Sequence, residues 1–397
     1  MTTGAIAKPG RLYSLPFIGI FAATLAFFTS SGVFLPTTPR FTVGPLGGDD
    51  AAVGLVLGSF AVSSIILKPF AGQLADRRGR RLVLIFGSVA MVAASFGHLV
   101  AVTIPLLVVM RLLLGAAEAL FFVAAIAAIT DLAPEHRRGE AISLISIALY
   151  LGVAVGPVIG EELQAQIGFD SAWIAAGILA VVSVALSWFA PETLPREKRA
   201  VAGTPIVWLH PRGIEPGLLV LCGAWGMGAY FAFLPLLGDE LGLDGVSGYL
   251  AAFAIIVVGL RVVGARLPDR LGAARLSGTA LILTATGMVI AGLAPNEAGL
   301  WAATIVFAFG VAFTFPAIVA LAVQGIPAVE RGAVTGTTSL FIDVAFGLSP
   351  ALLGLLAGVA GYPSTFLVSA AFAAVGAAWL LLRRRGGRAG AAARLSA

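Results

Sequence analysis

The chain has 397 residues, of which 59% are hydrophobic and only 11% charged, against roughly 25% charged residues in an average soluble domain. That balance excludes a soluble globular fold, and one cysteine (Cys222) with three scattered histidines (His98, His136, His210) excludes a disulfide framework and any familiar metal-ligand spacing. The net charge of +5 is carried by arginines in short loops between apolar runs, which fits membrane topology rather than a nucleic-acid partner.

A helix crosses a bilayer with about twenty apolar residues. Runs of that length are expected near 14–38, 51–71, 82–103, 104–130, 140–160, 171–190, 215–238, 246–266, 276–294, 298–325, 333–358 and 363–382, twelve spans in an all-α membrane protein. The first, Ser14 to Pro36, follows only Lys8 and Arg11, is longer than a signal-peptide core and has no clear small-residue cleavage site, so it is expected to be retained as a helix.

Arg77, Arg78, Arg80 and Arg81 follow the second span, and Arg137 and Arg138 follow the fourth. The opposite loops carry Asp49, Asp50, Glu161, Glu162, Asp170, Asp239, Glu240, Asp244 and Glu297, with Arg40 the main basic exception. Basic loops stay on the cytoplasmic side, so both termini are expected there, in a prokaryotic plasma (inner) membrane. The expected organisation is a six-helix bundle over 1–190, a Pro-rich charged linker over 191–213, a second bundle over 214–383 and a cytoplasmic Gly/Ala tail over 384–397.

The chain also aligns on itself. Asp76, Arg77 and Gly79 match Asp269, Arg270 and Gly272 at an offset of 193 residues, and the same register pairs Pro134 with Pro327, Arg138 with Arg331, Gly139 with Gly332 and Pro157 with Pro350. Lys68 and Arg261 also fall at this offset, and their long stems would let them snorkel toward the cytoplasmic ends of their helices. Phe34-Leu35-Pro36 and Phe233-Leu234-Pro235 match at 199 instead, implying about six extra residues in the first external loop. Each repeat holds six spans, an even number, so the halves enter the membrane from the same side and form parallel repeats.

Gly72-Gln-Leu-Ala-Asp76-Arg77-Arg-Gly79-Arg80-Arg81 resembles the signature between helices two and three of the major facilitator superfamily, and Asp269-Arg270-Leu-Gly272 resembles its second, degenerate copy. The resemblance covers essentially the whole chain and implies that family's fold, with twelve transmembrane helices in two pseudo-symmetric six-helix bundles and a substrate site between them. It implies a cytoplasmic latch in which Asp76 meets the start of the eleventh span near Gly332, and Asp131 partners a signature arginine, Arg80. Gly72 would allow a close helix approach and Gly79 a tight turn. The alternative is that the arginines only enforce topology.

Arg111-Leu-Leu-Leu-Gly115-Ala-Ala-Glu118 resembles the family's helix-four signature, and helical spacing puts Arg111, Gly115, Glu118 and Phe122 on one face. Glu118 falls near mid-bilayer, where a charge costs about 2.5–3.5 kcal/mol on insertion scales and therefore needs a cavity and a partner, with Arg111 the nearest candidate. Asp343 in span eleven is the other buried carboxylate, and Tyr150 is its repeat counterpart. Desolvation favours the neutral acid, so either carboxyl has the chemistry of a proton carrier, and either could equally be a structural ion pair. Gly152, Gly156, Pro157 and Gly160 resemble the fifth-helix motif of the proton-driven antiporters of the superfamily, although Glu161 stands where that pattern usually has another glycine.

The resemblance therefore points to the drug/proton antiporter and sugar-efflux-like branch. The expected function is proton-coupled efflux of small amphipathic or drug-like molecules by alternating access, the alternative being uptake or facilitation of a sugar, organic acid or other metabolite. No nucleophile set or metal cluster is visible, and with lysines only at 8, 68 and 198 no phosphate-binding loop of an ATPase exists. A non-enzymatic, monomeric carrier is expected, powered by a proton gradient without a cofactor, with a small-molecule substrate and the lipid bilayer as its partners and no nucleic acid.

Overall fold

The computed structural model describes residues 13–134, 137–194, 209–264, 267–326 and 328–395, all of them helical or in short connections. The first half holds α1 (Leu15–Val43), α2 (Asp50–Arg78), α3 (Arg80–Gly97), α4 (Ile104–Leu132), α5 (Arg138–Gln166) and α6 (Phe169–Phe189). The second holds α7 (Pro211–Glu240), α8 (Ser247–Val263), the short α9 (Leu267–Leu271), α10 (Ala273–Leu293), α11 (Glu297–Ala322), α12 (Ala328–Ala360) and α13 (Tyr362–Leu395). Eleven of these are long and apolar enough to cross a membrane, and α8 is a shorter apolar helix of 17 residues.

Three sequence boundaries shift. The third span ends at Gly97 and passes through a 3-10 turn (His98–Val100) before Thr103 caps α4. The second bundle begins at Pro211, a proline at the first helical turn where its missing N–H is tolerated. The stretch expected as a cytoplasmic Gly/Ala tail from 384 continues α13 as helix to Leu395.

The repeat is built into the backbone. Gly79 and Gly272 both adopt positive φ (107° and 81°) just before α3 and α10, a conformation open to glycine because it lacks Cβ. Thr103 and Asn296, also 193 residues apart, cap α4 and α11 by accepting from the N–H groups of Leu106 and Gly299. In both halves a glycine of the first helix receives the proline of the fifth span: a Cβ on Gly32 would meet Pro157 Cδ at 3.0 Å, and one on Gly228 would meet Pro350 Cδ at 3.1 Å.

Each half packs its own apolar core. Phe27 stacks on Phe121, and Phe34 on Trp173, in the first half; Tyr230, Phe253 and Phe307 cluster in the second. Large apolar side chains such as Leu55, Phe86, Ile178, Ile255 and Val359 point outward, as a lipid-facing surface requires. The halves meet along two seams, α2 against α12 and α5 against α8, with α1 touching α7.

The molecule has an arginine-rich end, carrying the α2–α3 and α4–α5 connections, and an acidic end opposite. The halves close on each other at the acidic end: a Cβ on Gly54 would lie 2.7 Å from the Pro350 carbonyl, and one on Gly58 would lie 3.0 Å from that of Gly347. Val53 and Leu57 of α2 accordingly belong to the second half's hydrophobic core.

Candidate functional site

Four polar residues meet midway along the α2/α12 seam. Lys68 Nζ lies 2.6 Å from Asp343 Oδ2 and 3.4 Å from Glu118 Oε1. The Ser64 hydroxyl donates to Glu118 Oε2 at 2.6 Å, and the ring of Phe122 lies 5.5 Å from the ammonium. All three charged side chains are at most 17% exposed. The cluster therefore holds two carboxylates and one cation, and joins α2 and α4 of one half to α12 of the other.

Local sequence explains the arrangement. Ser64 and Lys68 are one turn apart on α2, and Gly115 lets α4 cross there so closely that α4 packs directly on Phe60 and Ser63. This crossing presents Lys68 to Glu118. The expected Arg111–Glu118 pair does not form: two helical turns separate them by about 10 Å, and Arg111 instead turns onto the Phe60 ring, with Cζ 5.2 Å from its centroid. Lys68, read from sequence as a snorkelling cation, is the partner instead.

The α5/α8 seam repeats this geometry with different chemistry. Arg261, counterpart of Lys68, lies with Cζ 3.3 Å from the ring centroid of Tyr150, counterpart of Asp343. Its Nη2 points at the carbonyl of Val311, counterpart of Glu118, at 3.5 Å. Among the described residues no carboxylate lies within ion-pair distance of Arg261.

At the acidic end Arg40 clasps the halves together. Its Nη1 donates to Glu161 at 2.5 Å, and its Nε and Nη2 donate to Asp239 at 2.7 and 2.6 Å. Glu161, only 1% exposed, also accepts from the Val246 N–H at 3.0 Å. The residue that departs from the glycine pattern is thus an inter-half hydrogen-bonding group. A cleft of about 440 Å³ opens beside this clasp, lined by Arg40, Glu161, Gln164 and Asp239, and shares no lining residue with the Lys68 cluster.

At the arginine-rich end Arg80 bonds Asp76, one turn away, and reaches Asp131 at 3.4 Å, while Thr193 also donates to Asp131 at 3.0 Å. These contacts stay within the first half. Arg77 is partly buried with its Nε unbonded, and Arg270 is exposed. The side chain of Asp269 and the surroundings of Gly332, the latch partner expected from the resemblance, lie outside the described residues, as does Pro327. In this arrangement Gly72 makes no close approach among the described residues: a Cβ there would meet Val123 at an ordinary 3.8 Å.

The fifth-helix glycines form the α5 face that packs on α1. A Cβ on Gly152 would lie 2.7 Å from the Thr29 nitrogen, one on Gly156 2.6 Å from Gly32 Cα, and one on Gly160 2.5 Å from the Val33 carbonyl. They therefore set how closely the two helices approach.

The family model of the Major Facilitator Superfamily matches residues 20–350 and, in a second match, 269–395. The chain belongs to the Major Facilitator Superfamily. Similar relatives include uncharacterised transporters of this superfamily from Salmonella typhimurium (27% identical, covering 94% of this chain and 97% of that one) and Pseudomonas aeruginosa (29%, covering 95% of each). The fold is similar to that of a point mutant of the nucleoside transporter NupG (TM-score 0.74, 14% identical, 92% and 99% covered). It is also similar to that of a bacterial homologue of Spinster (0.73, 16%, 96% and 98%). The facilitator fold, with twelve transmembrane helices in two six-helix bundles, follows, and so does the activity of a multi-pass secondary transporter working by alternating access on small molecules rather than an enzyme.

Sequence reasoning passed over Lys68, Ser64, Arg40 and Arg261 as site residues. A signal for two of them was present, since Lys68 and Arg261 sit at the repeat offset. Arg40 was visible only as the basic exception in an acidic loop.

Proposed function

We propose that this facilitator is a proton-coupled exporter of small amphipathic molecules, in which the Lys68–Asp343–Glu118 cluster carries the coupling. The supporting observation is that one lysine is shared by two buried carboxylates drawn from both halves. Rocking the halves apart along the α2/α12 seam must break the Lys68–Asp343 bond. An unpaired carboxylate inside a bilayer is far costlier as an anion than as an acid, so that step favours proton uptake, and re-closure on Lys68 favours release. Glu118, which stays with Ser64 and Lys68 in the first half, holds the lysine in place during the cycle.

The arginine-rich end is assigned to the cytoplasm of a prokaryotic inner membrane, following the loop charges, so the clasped acidic end faces outward and the carrier rests closed on that side. We take the carrier as a monomer of two six-helix bundles joined by the linker between α6 and α7. The packed Gly152–Gly156–Gly160 stripe supports the antiporter resemblance, and Glu161 in the clasp leaves that stripe intact.

Everted membrane vesicles test the proposal. With a panel of fluorescent amphipathic dyes, an imposed proton gradient is expected to drive uptake of at least one dye, and an uncoupler to abolish it. Accumulation that persists without the gradient contradicts proton coupling.

A further inference from the structure

The two seams are equivalent in position and opposite in charge. At the first, the cation Lys68 is neutralised by Asp343 and Glu118. At the second, the positions of those carboxylates are held by Tyr150 and Val311, and among the described residues Arg261 meets the Tyr150 ring face and the Val311 carbonyl at 3.5 Å rather than a carboxylate. Its Nε is buried without a hydrogen-bond partner. A guanidinium has five donors and keeps its charge under all ordinary conditions, and leaving donors unpaired in a low-dielectric interior is unfavourable. Arg111 is also without a carboxylate partner among the described residues, but it is only 4% exposed and sealed under Phe60 inside the first half. Arg261 instead lies where the two halves meet.

We propose that Arg261 and Tyr150 form a binding site for the anionic head group of an amphipathic substrate, a carboxylate, sulfonate or phosphate ester. The inference rests on the transport of amphipathic molecules proposed above and adds their charge. The Tyr150 ring holds the guanidinium by its face, and the N–H groups not turned to the Val311 carbonyl are the donors left for the oxygens of such an anion. Lys68 does not compete for the anion, because two carboxylates already hold it.

Thermal unfolding of the purified carrier in detergent tests the site with one ring system and varied head groups: naphthoate, naphthalenesulfonate and naphthyl phosphate as anions, naphthamide as the neutral isostere and naphthylmethylammonium as the cation. At least one anion is expected to raise the wild-type Tm by several degrees, and the amide and ammonium to do so much less. Arg261→Gln is expected to remove the anion-specific rise while keeping its ligand-free helical signal and a cooperative melt, and Arg261→Lys to retain part of the rise. Stabilisation blind to head-group charge, an unchanged response in Arg261→Gln, or no stabilisation by any of the three anions overturns the site. Anion-specific stabilisation lost in Arg261→Gln, together with no gradient-driven uptake in vesicles, overturns the export proposal and leaves the anion site standing.

Discussion

Lys68 of α2 and Asp343 of α12 meet at 2.6 Å across the seam between the two halves. The bond links the two halves, and in the coupling proposed above it also carries charge, because alternating access opens the seam and the bilayer penalises whatever charge is left alone. Glu118, 3.4 Å from the same ammonium, ensures that Lys68 keeps a counter-charge when Asp343 departs.

Removing the cation should therefore be worse than removing one anion. Lys68→Ala leaves two buried carboxylates facing each other and is expected to destabilise the carrier by about 3–5 kcal/mol, the usual result of breaking a buried pair from one side. Adding Asp343→Asn to Lys68→Ala should recover part of that loss, whereas independent sites would give additive losses. Melting of the two single variants and the double variant in one detergent measures the coupling.

The glycines of α5 and α2 should respond in opposite ways. Gly156→Val forces a side chain into the backbone of α1 at Gly32 and is expected to cost about 1–3 kcal/mol or more, as overpacking does. Gly72→Ala meets only Val123 at 3.8 Å and is expected to leave the melt unchanged or slightly raised, since alanine is the better helix former. Equal losses in both would refute this account of where the helices touch.

Arg40 should bias the carrier toward closure of its acidic end. Its bonds reach Glu161 in the first half and Asp239 in the second, so Arg40→Ala removes a link that exists only when that end is shut. In a Cys222→Ala background, a cysteine placed at the closed seam position Leu57, which is 6% exposed, is expected to react several-fold faster with a water-soluble maleimide once Arg40 is replaced. Unchanged reactivity would show that apolar packing alone holds the end closed.

Much of the fold was legible in sequence because a bilayer imposes a length and an apolar composition on every span, and because the 193-residue register includes turn glycines such as Gly79 and Gly272, whose positive φ favours glycine. The site was only half legible. Glu118 and Asp343 stood out as charges in apolar runs, but pairing is decided by helix crossings: Gly115 sets α4 against α2 and so brings Lys68, rather than Arg111, to Glu118. Glu161 looked like a defect in a motif because its partner Arg40 lies 121 residues away in the chain. For Gly72 the sequence carries no information about which neighbour comes close, and here Val123 lies at an ordinary 3.8 Å from a Cβ at that position. Arg261 and Tyr150 were named by the repeat, yet only the three-dimensional structure placed one upon the other.

The most direct test of coupling through this cluster is the Asp343→Asn carrier in everted vesicles, followed with a dye that the wild type accumulates. The account predicts that gradient-driven accumulation disappears and no longer varies with pH, while exchange of internal for external dye without a gradient continues. Accumulation at the wild-type level with the wild-type pH dependence would contradict it.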